Sequence, residues 1–130
     1  MYLSSIVANW KVGEEIPELP GHYCCEKWNT DTEVEIQNVG TRFKFVLSQF
    51  LYNCSFIILG NIDNWDKGET QDSIKAVLEM LENLSYTGLI VTSIISSHKE
   101  YLVKDLGFKL LIDLKSNRTD HQNYFLMKEI

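Results

Sequence analysis

Apolar and polar positions alternate with a period of two through Thr32–Val39. Val34 and Ile36 fall on one face, and Glu33, Glu35 and Gln37 on the other. That pattern predicts a half-buried strand. Within Cys54–Ile62 the alternation gives way to an unbroken apolar run, Phe56 to Leu59. This predicts a central strand covered on both faces. From about Gln71 to Ser85 the period becomes helical: Ile74, Val77, Leu78, Leu81 and Leu84 share one stripe, and Lys75, Glu79, Glu82 and Asn83 face away from it. Thr70 is the expected N-cap, with Asp72 as the carboxylate of the first turn. After Gly88, Leu89–Ile95 is β-prone and buried in character. Ser96 or Ser97 is expected to cap a short helix through Asp105, stopped by Gly107, with His98 on its surface. Phe108–Leu114 and Gln122–Glu129 flank the polar stretch Lys115–Asp120 and read as a closing hairpin.

The first fifty residues are less regular. Leu3–Trp10 alternates weakly and reads as a first strand. Val12–Gly21 holds Pro17, Pro20 and two glycines and reads as a loop. His22–Trp28 is a short aromatic strand or an irregular segment. Arg42–Tyr52 satisfies two periods: Phe43, Val46, Leu47, Phe50 and Leu51 fit a helix, while Phe43, Phe45 and Leu47 alternate as in a strand. The strand is preferred, because it forms a hairpin with Thr32–Val39 through Asn38-Val39-Gly40. No internal repeat or linker interrupts the order of strands, helix, strand, helix, strand, strand. The expectation is a single α/β (α+β) domain over residues 1–130, with a mixed, mostly antiparallel sheet flanked by helices.

Composition narrows the function classes. The 130 residues are 45% hydrophobic and 23% charged, which suits a folded domain with one core. The net charge is −6 and the basic residues are scattered, so the chain lacks the cationic stripe of a nucleic-acid binder. No stretch approaches the roughly 18 apolar residues of a membrane span. Met1–Trp10 has no basic region like that of an export signal. Cys24, Cys25 and Cys54 are odd in number and two are adjacent, so free thiols in a reducing cytoplasm are expected.

Four groups of residues are chemically suggestive. In Asn64–Thr70, Lys67 and the free N–H groups at a helix start can hold a pyrophosphate; the alternative is a turn with a glycine at its centre. Asp63, Asp66, Glu69 and Asp72 recur every three residues but do not follow the spacing of a calcium loop, so no metal site is expected. His22-Tyr23-Cys24-Cys25 lacks the paired spacing of a zinc site, and a thiol nucleophile there would need His98 or His121 brought close by the fold. Ser96-Ser97-His98-Lys99-Glu100-Tyr101 holds a serine, a histidine and a carboxylate, but neighbours on one helix point in different directions.

Leu102-Val103-Lys104-Asp105-Leu106-Gly107-Phe108 resembles the segment ending in Leu-Gly-Phe that closes the last helix of GNAT-type N-acetyltransferases, and the element order from Thr32 to Ile130 is similar to theirs. The resemblance implies a GNAT-like fold. It also implies that Trp65-Asp66-Lys67-Gly68-Glu69-Thr70 stands where that family's Arg/Gln-x-x-Gly-x-Gly/Ala loop cradles the pyrophosphate of acetyl-CoA. In this reading Lys67 and the amides of Gly68, Glu69, Thr70 and Gln71 would hold phosphates. Ile58 and Leu59 would lie on the strand whose N–H groups polarise the thioester carbonyl. Asp63 or Glu35 would be the base, and His98 or Tyr101 the acid to the leaving thiolate. Four positions depart from the family pattern: Trp65 for Arg/Gln, Thr70 for the second small residue, Ser96 for an asparagine, and Val103 for the usual tyrosine acid. The segment that would build an acceptor site is also short.

Compact versions of this kind resemble small phage-encoded proteins. The departures favour a non-catalytic GNAT-like protein that binds a protein partner, a host protein in the phage case, through an acidic and aromatic surface of Trp10, Trp28, Trp65, Tyr23 and Tyr52. That reading needs no cofactor. The alternative is a small acetyl-CoA-dependent N-acetyltransferase. Acyl-CoA binding requires a gap between Cys54–Ile62 and Leu89–Ile95, and side chains such as Phe56 or Trp65 filling that gap would favour the binder.

Overall fold

The computed structural model describes residue 3 and residues 9–50, 55–60, 62, 67–94, 96–115 and 122–130. Seven strands make one sheet. They are β1 (Tyr23–Thr30), β2 (Glu33–Asn38), β3 (Lys44–Gln49), β4 (Phe56–Gly60), β5 (Gly88–Ile94), β6 (Lys109–Lys115) and β7 (Gln122–Glu129). Their order across the sheet is β1-β2-β3-β4-β5-β7-β6. The β4–β5 pair is parallel, and every other neighbouring pair is antiparallel. A parallel pair cannot be closed by a tight turn and needs a crossover. Helix α1 (Lys67–Asn83) is that crossover, and α2 (Ser96–Lys104) joins β5 to β6.

Alternation decides which face each strand buries. Val34, Ile36, Phe45, Leu47, Ile57, Leu59, Leu89, Val91 and Leu126 lie on one face, and all are nearly inaccessible. Ile74, Val77, Met80 and Leu81 of α1 and Leu102 of α2 belong to the same core. The buried stripe of α1 is wider than the spacing predicts, since Ser73 and Ala76 are buried too. Ser73 can be buried because its hydroxyl meets the Tyr23 hydroxyl at 2.9 Å, tying α1 to the first strand.

Arg42–Tyr52 resolves as a strand over Lys44–Gln49. Its hairpin with β2 is set by Asn38, whose side-chain oxygen accepts from the N–H groups of Gly40 (2.9 Å) and Thr41 (3.1 Å). Such side-chain mimicry of a turn is what asparagine does best. Most of the expected strand Leu3–Trp10 lies outside the described residues, and its described residues are not strand: Leu3 is helical, Asn9 is in a turn and Trp10 is irregular.

The start of α1 corrects two expectations. The helix begins at Lys67, so Thr70 is inside it rather than at its cap, and the acidic residue of the first turn is Glu69 rather than Asp72. His98 is not a surface residue either. It is 3% exposed, four residues before buried Leu102, on the stripe of α2 that faces the core. Trp10 and Tyr23 are also buried, and Trp28 packs against the core, so none of the three offers the open aromatic surface expected. Trp65 and Tyr52 lie outside the described residues. No helix among the described residues is long and apolar enough to cross a membrane.

Two predictions follow from packing. An added Cβ at Gly88 would lie 2.0 Å from the ring of Phe56, its partner on β4. Gly88→Ala is therefore expected to lower stability by about 1–3 kcal/mol. In the Phe56→Leu background the penalty should fall to under half, as read from denaturant midpoints of the four proteins. The second concerns Glu18, whose carboxylate accepts from the Trp10 indole (2.7 Å) and the Asn9 amide (3.2 Å). Burial pushes its pKa up, but these hydrogen bonds outweigh burial and hold it below the ordinary 4.5. A carboxyl that ionises more readily when folded stabilises the fold above its unfolded pKa, and that gain is lost as the pH falls through the folded value. Glu18→Gln should therefore be less stable than the parent at pH 6–7, and the two should converge below about pH 4.5 in unfolding titrations.

Candidate functional site

The parallel pair creates a distinctive place in the sheet. Pairing between β4 and β5 runs from Phe56↔Gly88 to Leu59↔Val91 and stops there, while β5 continues to Ile94. The β5–β7 ladder is also irregular between Val91 and Ile94. Past the last rung, the Thr92 hydroxyl points at the Leu59 carbonyl at 3.5 Å. Gly60 stands beside it, and a Cβ there would lie 2.6 Å from Thr92 Oγ1. The small residue lets the two strand ends pass each other. Phe56 lies away from this end of the pair, its ring over Gly88 at the other end. Trp65, the other side chain expected near a gap between the two strands, lies outside the described residues.

Chain direction puts the start of α1 beyond the same end of β4. Gly68 is exposed there and Gln71 is half-buried. A helix start offers unsatisfied N–H groups and a partial positive charge, and so favours an anion. The chain supplies one of its own, since the half-buried Glu69 carboxylate accepts from the Thr41 hydroxyl of the β2–β3 turn at 3.1 Å. The Lys67 side chain is outside what is described. Thr70 is 1% exposed, and its hydroxyl has no hydrogen-bond partner among the described residues. Leaving such a group unsatisfied costs about 1–3 kcal/mol, more than the roughly 0.3–1 kcal/mol that a first-turn carboxylate contributes.

Of the residues expected to move protons, Asp63 lies outside the described residues. Glu35 lies on the row Glu35–Val46–Gly60, its backbone two strand spacings from Gly60, or roughly 10 Å. The Lys75 ammonium of α1 lies 5.8 Å from the Tyr101 ring centre, and the neighbouring tyrosine raises the lysine pKa. Val103, at the position of the family's tyrosine acid, is 39% exposed and carries no proton to give. Of the assigned cofactor strand, Leu59 is buried on the helix-covered face and Ile58 is half-buried on the other.

The described thiols are poor nucleophiles. Cys25 is fully buried and Cys24 half-buried; both are free thiols. Burial, helped by neighbouring negative groups that include Glu26, raises both pKa values, against thiolate formation. His22 is exposed and bonded to Glu15 at 2.6 Å, His98 is in the core under α2, and His121 lies outside the described residues. Sequence reasoning missed Thr92 and Gly60. A threonine in a β-prone run and a glycine after Leu59 give no signal until the register sets them side by side.

No protein-family model matches the chain, and no curated protein does. Solved structures do. A probable acetyltransferase from Staphylococcus epidermidis aligns with a TM-score of 0.57 at 18% identity, covering 79% of this chain and 71% of that one. An IAA acetyltransferase from Bacillus cereus aligns at 0.53 and 14%, covering 75% and 77%. An acetyltransferase from Bacillus subtilis, solved in complex with CoA, aligns at 0.52 and 13%, covering 75% and 76%. The fold is therefore that of GNAT acetyltransferases, with a mixed seven-stranded sheet.

The unsatisfied hydroxyl gives this site its prediction. Thr70→Val keeps the shape and removes the buried oxygen. It should raise the stability of the free protein by about 1 kcal/mol, in contrast to the usual loss on altering a core residue. Urea denaturation with an unchanged slope is the check.

Proposed function

We propose that this chain binds an acyl-CoA on a GNAT scaffold and does not itself transfer the acyl group. The observation that carries the reading is the end of the parallel β4–β5 ladder at Leu59↔Val91, after which the chain leads into the start of α1. The residues fit such a ligand in kind. Exposed Gly68 would let a phosphate approach the backbone at the start of α1. Lys67 would add charge. When bound, an acyl-CoA would supply an activated thioester. The chain would supply N–H donors and an apolar strand edge that holds the carrier in place.

Transfer needs more than positioning. A base must take the amine's proton, and an acid must protonate the leaving thiolate. Glu35 lies on a strand two away from β4, the Lys75 ammonium sits beside Tyr101, and Val103, which stands where the resemblance expects a tyrosine, has no ionisable proton. Carrier binding without turnover fits these placements better than catalysis. A second reading, a protein-binding scaffold of the phage type, draws support from a different feature: Leu110 and Leu111 are 48% and 43% exposed on β6, a strand at the edge of the sheet.

Thermal unfolding with millimolar acetyl-CoA tests the first reading. Saturation at 100 times the dissociation constant adds about 2.7 kcal/mol, which corresponds to a midpoint rise of roughly 2–8 °C. Lys67→Glu should abolish the rise, and Glu69→Gln should enlarge it by removing the competing charge. No free thiol should accumulate when amines are added. A midpoint that does not move would overturn acyl-CoA binding, and steady thiol release would overturn the non-catalytic assignment.

A further inference from the structure

A cleft of about 470 Å³ lies on the sheet face opposite the helix-covered core, lined by Thr30, Thr32, Glu33, Ser48, Gln49, Phe50 and Ile58. Its floor is a single cross-strand row, Glu33↔Ser48↔Ile58, over β2, β3 and β4. These residues alternate with buried Val34, Leu47, Ile57 and Leu59, so they point away from the core. The β1–β2 turn forms one wall. It is held in shape by the Thr30 hydroxyl, which accepts from the Thr32 N–H at 3.1 Å, and by the Thr32 carbonyl, which accepts from the Gln49 N–H at 3.0 Å. The cleft sits on the Ile58 rung, and the β4–β5 ladder ends one residue further on at Leu59↔Val91. The inference does not rest on acyl-CoA binding.

The lining specifies a ligand class. Ile58 and Phe50 give an apolar seat, and the volume is within the ordinary range for small-molecule sites. Glu33 is half-buried, and one of its carboxylate oxygens accepts from the Asn29 amide at 2.8 Å, which fixes the group without neutralising it. Among the described residues no lysine or arginine pairs with Glu33, and none lines the cleft. A half-buried carboxylate without a counter-ion, set beside an aromatic ring and hydroxyls, favours a cation with an apolar tail. An anion would meet the same carboxylate unfavourably. We propose that this cleft binds a small alkylammonium ligand, its ammonium on Glu33 and the Ser48 hydroxyl and its chain on Ile58 and Phe50.

Titration of the ¹⁵N-labelled chain with n-butylammonium, followed by two-dimensional NMR, tests this. Saturable shifts confined to the amides around Glu33, Ser48, Gln49 and Ile58 are expected. n-Butanol should bind more weakly and butyrate not at all. Glu33→Gln should weaken butylammonium binding about tenfold or more, the worth of one charge-assisted hydrogen bond, while a spectrum otherwise like the parent's shows the variant folded. Shifts that are absent or scattered, butyrate binding as well as butylammonium, or Glu33→Gln binding undiminished would each overturn the proposal.

Discussion

The parallel pairing of β4 with β5 is the constraint to which the rest of the chain answers. Six neighbouring strand pairs make the sheet, and this one alone requires a crossover rather than a turn. The crossover fixes α1 over the sheet, and α1 in turn seals the core through Ile74, Val77 and Leu81. It also closes cleanly: the Tyr86 N–H donates to the Leu81 carbonyl at 3.0 Å while Ser85 takes a left-handed φ of 64°. That is the hydrogen-bond pattern of a helix stop, here with serine in the place usually given to glycine. The chain can then re-enter the sheet at Gly88, where the absence of a Cβ admits the Phe56 ring.

The same pairing explains why the candidate site lies where it does. Two parallel strands present their C-terminal ends together, and the helix that follows the first begins at that end. The ladder stops at Leu59↔Val91, where the Thr92 hydroxyl meets the Leu59 carbonyl. This arrangement of strand ends follows from topology, whereas individual side chains such as Val103 and Tyr101 vary independently of it. Val103 is exposed, and Tyr101 lies beside the Lys75 ammonium across the two helices.

This division sets what the sequence could reveal. Alternation in Thr32–Val39, the apolar run Phe56–Leu59 and the helical stripe from Ile74 to Leu84 record burial, and burial is what the fold consists of, so most elements were legible. Leu106-Gly107-Phe108 was legible for the same reason. Gly107 takes a left-handed φ of 76° to end α2, and Phe108 is buried after it, so the residues of the family resemblance are structural ones. The start of α1 was misplaced because Thr70 is as good a cap by type as any residue nearby. Its choice against capping is tertiary, since Glu69 is held by Thr41 from a turn 28 residues away. Trp10 and Tyr23 were misread for the opposite reason. Aromatic side chains suit a core and an interface equally, and only the Glu18 and Ser73 partners decide between them.

Glu69 and Glu33 show the same charge in two physical situations. Glu69 lies in the first turn of α1, where the partial positive charge of the helix start and the Thr41 hydroxyl offset its burial. Any anionic ligand must compete with it there, so binding at that turn depends on Lys67 and on how far the helix charge exceeds one carboxylate. Glu33 has no such support. Its strand contributes almost no dipole, and its one side-chain partner is a neutral amide. An acidic chain can leave many carboxylates solvated at no cost, and Glu33 stands half-buried in a lining that includes Phe50 and Ile58. The first turn of α1 and the Glu33 row therefore surround the same carboxylate differently, with a helix start in one case and a strand face in the other.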